Sequence, residues 1–115
     1  MENLNEFMLL FRMPAGNTPP NAEQIEKMHQ QWQKFIGEVA SRGLLVNVSR
    51  LGFEGVVIKS DQTTENKFLM EDGKFISGNL TMKAKTMEAA VEMAKHCPVL
   101  FAGGTVEVRT TIPMN

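Results

Sequence analysis

Residues 7–13, FMLLFRM, are apolar on both sides of an extended chain until Arg12 is reached. The run is too short for a typical core helix and reads as a strand. A strand apolar on both faces belongs in the middle of a sheet, with a cover on each side. Pro14, Gly16, Pro19 and Pro20 then break regular structure and predict a loop.

Asn21 is placed to cap a helix, with Gln24 completing a capping box. Ile25, Met28, Trp32, Phe35, Ile36, Val39 and Ala40 recur at three and four residues, the spacing of one helix face. Gly43 suits the left-handed stop. In the following LLVNVS, alternation puts Leu44, Val46 and Val48 on one face and Leu45, Asn47 and Ser49 on the other. VVIKS (56–60) reads as a further strand, residues 61–66 as a polar loop, and KFLM (67–70) as its partner element before an Asp72-Gly73 hairpin turn.

Ile76, Gly78, Leu80 and Met82 then alternate with Ser77, Asn79, Thr81 and Lys83. Thr86 caps a second helix striped by Met87, Ala90, Val91 and Ala94 and stopped at Pro98. After Gly103 and Gly104, Val106 and Val108 alternate with Glu107 and Arg109 in a last strand. The order predicts a two-layer α+β sandwich of the βαββαβ type with an antiparallel sheet. With 115 residues the chain is of one-domain size, and 1–115 is read as a single domain.

Helices in such a sandwich cover one sheet face, so the other meets solvent, a ligand or another subunit. Alternation places Asn47, Ser49, Asn79, Thr81, Lys83, Glu107 and Arg109 there, together with apolar residues of 7–13. The expected cover is a second copy, giving a homodimer through the open face.

Lys plus Arg total 12 against 13 Asp plus Glu, a formal charge of -1 with the bases scattered. That balance argues against nucleic acid or an anionic membrane as partner. Neither a signal peptide nor a membrane span is legible. Cys97 stands alone, so no internal disulfide is available, and a reducing cytoplasmic location is expected. It precedes Pro98 at a helix end, the wrong end for a stabilised thiolate, and reads as a packed thiol.

His29 on the first helix is the one candidate general base. His96 suits the negative end of the second helix. The two show no metal-ligand spacing, so no metal site and no cofactor are expected. Glu107 and Arg109 share a strand face and form either an ion pair or an anion-orienting couple.

EDGKF (71–75), MEAAVEMAKHCP (87–98) and GGTVEVR (103–109), with FMLLFR near the start, resemble the YCII-related (DGPF-domain) family. The likeness is good from Asp72 to Arg109. It implies a ferredoxin-like two-layer sandwich whose subunits pair into a dimeric α/β barrel, with 1–115 as one YCII-like domain. Some members carry a first-helix histidine and a following aspartate, proposed as a catalytic pair. Here Trp32 falls near that histidine's place, His29 lies one turn earlier, SRLGFEG (49–55) has no aspartate, and Lys74 replaces the turn's proline.

The expected function is binding of a small organic ligand, carboxylated or aromatic, in a cavity between the two sheets of the barrel. Arg109 is the anion-binding candidate, with Glu107, Asn79, Thr81, Lys83 and Asn47 around it and Trp32 and Phe35 packing behind. The enzyme alternative is cofactor-independent isomerase, lyase or proton-transfer chemistry on a small organic acid, with His29 as base. A structural or protein-interaction module is the third reading.

Overall fold

The structure, a computed structural model, describes residues 3–16, 21–52, 54–67 and 69–114. Strand β1 (Asn5–Pro14) opens the chain, followed by helix α1 (Ala22–Ser41) and strand β2 (Leu45–Arg50). A short hairpin, β3 (Val57–Ile58) and β4 (Thr64–Glu65), precedes β5 (Lys74–Ala84). Helix α2 (Met87–Ala94), a 3-10 helix (Pro98–Ala102) and β6 (Thr105–Thr110) complete it.

The four long strands form one antiparallel sheet in the order β2-β5-β1-β6. The strand apolar on both faces, β1, is therefore internal, as its composition requires. Phe7, Leu9 and Phe11 of β1 and Leu80, Met82 and Ala84 of β5 face Phe35 and Val39 of α1 and Ala90, Met93 and Ala94 of α2. Each fully buried Leu in that layer contributes about 1.5–3 kcal/mol. Trp32 packs edge-on against Phe11 and Phe35, with ring centroids 5.1 and 6.1 Å apart. The molecule is 20 Å through its thinnest dimension, room for one sheet and one helical layer.

Local signals set the helix ends. Asn21 Oδ1 accepts from Gln24 N at 2.8 Å and Gln24 Oε1 accepts from Asn21 N at 3.0 Å, the expected capping box. Thr86 Oγ1 accepts from Ala89 N at 3.1 Å and starts α2. Asp72 and Gly73 both take positive φ, 53° and 72°, which makes the tight turn into β5.

Several expectations are corrected. The sheet does not close: β2 and β6 are each paired on one side, so the four strands form an open sheet and not a barrel. Residues Val57–Ile58 join no long strand, and their partner is Thr64–Glu65, inside the stretch read as a loop. Leu69 and Met70 form no strand, and Phe68 lies outside the described residues, as do Pro19 and Pro20. In β2 the register shifts between Leu45 and Asn47, which turns Leu45 toward the core beside Val48 and leaves Val46 exposed. A second shift between Phe11 and Arg12 sets Ile76 opposite Arg12, on the face away from the core. Met93, not Met87, completes the buried stripe of α2.

Candidate interaction face

Cross-strand partners share a face, so the register assembles the open side row by row. One row reads Asn47, Thr81, Met8, Arg109 from β2 to β6. The next reads Ser49, Asn79, Leu10, Glu107, and a third Ile76, Arg12, Thr105. Lys83 pairs with Glu6 beyond the first row. Asn47, Asn79, Thr81, Lys83, Glu107 and Arg109 thus all lie on the face opposite the core.

The centre of this face is apolar and already half-packed. Met8 and Leu10 are half-buried, and Thr81, between Met8 and Asn47, is only 8% exposed. Charge sits toward the β6 side. Arg12 Nη1 donates to Glu107 Oε1 at 2.7 Å and Arg109 Nη1 donates to Glu107 Oε2 at 3.1 Å. The two guanidinium groups, Arg12 first, hold the Glu107 carboxyl below its ordinary value of 4.5. Arg109 therefore already carries a carboxylate partner, which weakens its case as an anion receptor.

Arg12 is the residue that sequence reasoning missed in this cluster. Its side chain is 19% exposed and also stands 4.0 Å from Glu71. The signal was present: Arg12 has the same parity as Met8 and Leu10, so it belongs to the open face. A shallow hollow of about 170 Å³ lies here, between Arg12, Glu107, Thr105, Glu71, Asp72 and Lys74. That is smaller than the ~300 Å³ from which small-molecule sites begin.

The other expected site residue lies elsewhere. His29 is exposed on α1, in the helical layer, with the sheet between it and Glu107 or Arg109. A larger hollow of about 340 Å³ is also on the helical side, lined in part by Lys34, Phe35, Glu38, His96, Pro98 and Phe101. There His96 Nδ1 stands 3.4 Å from Glu38 Oε1, tying the end of α2 to α1. Cys97 is fully buried, and burial pushes its thiol up to about 12.

Among the described residues no three His, Cys, Asp or Glu side chains gather as a metal site. Nor is any described helix long and apolar enough to cross a membrane.

No protein-family model and no curated protein matches the chain. The resemblance to YCII-related proteins is overturned by that result, and the open sheet overturns the dimeric α/β barrel it implied. With the barrel goes the function read from it, a small-ligand-binding protein with its ligand held in the barrel's intersheet cavity.

Proposed function

We propose that the chain is a protein-association module that pairs with a second copy through the open face of its four-stranded sheet. The observation that carries this is the row Ser49, Asn79, Leu10, Glu107 beside the row Asn47, Thr81, Met8, Arg109: an apolar centre flanked by polar and charged positions. Two-fold pairing requires a patch that supplies both halves of each contact. This face does so, with Glu6 and Lys83 as opposite charges and Met8 and Leu10 as apolar contacts, while Glu107 stays braced within its own copy.

Association edge to edge is disfavoured. Edge strand β2 is bulged between Leu45 and Asn47, and edge strand β6 carries Glu107 and Arg109, two devices that deter strand addition. Packing face to face leaves both sheets open at their edges. The whole of 1–115 acts as one domain in this reading, and a reducing, cytoplasmic setting suits its single thiol.

Sedimentation equilibrium on the chain and on a Leu10→Asp variant tests the proposal. The expected result is a concentration-dependent mass reaching twice 12.8 kDa for the chain, and a folded monomer for the variant. A chain that stays at 12.8 kDa up to hundreds of micromolar, or a variant that dimerises as well as its parent, refutes it.

A further inference from the structure

Residues 51–73 make a long excursion between β2 and β5, and among the described residues β3 and β4 within it pair only with each other. Connections longer than about 12–15 residues are uncommon unless they carry structure of their own, and here that structure is the short β3–β4 pairing. A two-stranded hairpin is at best marginally stable alone in water. This one has internal polar bracing: Glu65 receives ion pairs from Lys59 and, at 2.6 Å, from Lys67. Asp61 Oδ1 accepts from Thr63 Oγ1 at 2.6 Å at its tip.

Alternation divides the arm into two faces. Val57, Lys59 and Glu65 lie on one side, while Val56, Ile58 and Thr64 lie on the other. The ion pairs serve the first side. Among the described residues the second side is left uncovered, with Ile58 71% exposed, and so is Leu69 on the returning leg, 72% exposed. The base of that leg borders the open sheet face, since Glu71 approaches Arg12.

We infer that residues 56–66 are a dimerisation clasp, each arm laying its Val56 and Ile58 side against the partner copy. This rests on the pairing proposed above and extends it. Area supports the second copy as occupant. Strands spaced ~4.8 Å apart, with ~3.3 Å per residue, give the open face on the order of 500 Å² in projection. A stable pair buries about 800 Å² of accessible surface on each partner; the strand face supplies part of that, and the Val56 and Ile58 side of the arm adds to it. Charge agrees: Lys59 and Lys67 are balanced in number by Asp61 and Glu65, so residues 56–67 carry no net charge to be matched by a strongly basic or acidic partner.

The test is the dimer dissociation constant of four chains: the parent, Ile58→Asp, a variant with 57–65 replaced by Gly-Ser-Gly, and Leu10→Asp. Far-ultraviolet circular dichroism on each separates misfolding from lost contact. The clasp requires the Ile58 and shortened-arm variants to stay folded while dissociating at least about tenfold more readily than the parent. A dimeric parent with both arm variants unchanged in affinity overturns the clasp and leaves the sheet-face pairing intact. A monomeric parent overturns both, and Leu10→Asp behaving as the parent does while the arm variants dissociate locates the interface at the arm alone and overturns the sheet-face pairing.

Discussion

Arg12 and Glu107, 95 positions apart in the chain, are joined by a 2.7 Å hydrogen bond on the uncovered side of the sheet. Arg12 pairs in register with Thr105 and Glu107 with Leu10, so the contact runs diagonally between β1 and β6. It ties the last strand to its internal neighbour in the sheet. Glu107 is thereby held by two guanidinium groups in place of one.

A pH dependence follows from that bracing. The folded-state pKa of Glu107 lies below 4.5, chiefly through Arg12 and then Arg109. Its stabilisation is therefore present above that ordinary value and is lost as pH falls through the folded-state pKa. Thermal unfolding midpoints of the parent and Glu107→Gln, measured from about pH 3 to pH 7, should differ most near neutrality and converge in acid. A difference that stays constant over the range contradicts the ion-pair role.

Leu9 and Leu10 are neighbours with opposite fates. Leu9 is fully buried under the helices, whereas Leu10 lies on the open face. Leu9→Ala is expected to cost about 2–5 kcal/mol at any protein concentration. Leu10→Ala is expected to cost less than about 1 kcal/mol in dilute solution, where the single copy is measured. Urea denaturation of both variants checks this. Equal losses would contradict the placement of Leu9 and Leu10 on opposite faces of β1.

Much of the fold was legible where the physics is local. The Asn21 and Gln24 capping box depends on four consecutive residues, and the two apolar sides of 7–13 already demanded an internal strand. The misplacement of Leu45 and Val46 has a non-local cause, because the bulge is set by pairing with β5 and not by composition. Likewise the arm's second strand is the polar Thr64–Glu65, held by ion pairs that no hydrophobic pattern reveals. In the candidate site, Glu107 and Arg109 were legible as positions two apart on one strand. Arg12 joined them only through a cross-strand register. Closure into a barrel was inferred from resemblance, and the backbone pairing shows an open sheet.

Cys97 should be chemically silent in the native protein. It has no exposed surface, and its thiol is pushed up to about 12, so almost no thiolate forms at neutral pH. Iodoacetamide at about pH 8 should leave the folded chain unmodified and label it fully in denaturant, by intact mass. Rapid labelling of the folded chain would contradict the packing around the end of α2.

Gly78 marks a close approach of two strands. A Cβ there would meet the backbone oxygen of Ser49 at 2.5 Å, so β2 must shift to admit it. Gly78→Ala is expected to lose about 1–3 kcal/mol and to speed amide exchange in Leu45–Arg50 more than in Thr105–Thr110. Uniform exchange across both edge strands would count against a local displacement.

Whether a second copy covers the open face can be read from isotope-filtered NOEs in a mixture of labelled and unlabelled chains. Cross-copy NOEs from the Met8 and Leu10 methyl groups, on the open face, are the expected result. Cross-copy NOEs confined to the helical side, around Phe101 for example, or none at concentrations of about a millimolar, would contradict it.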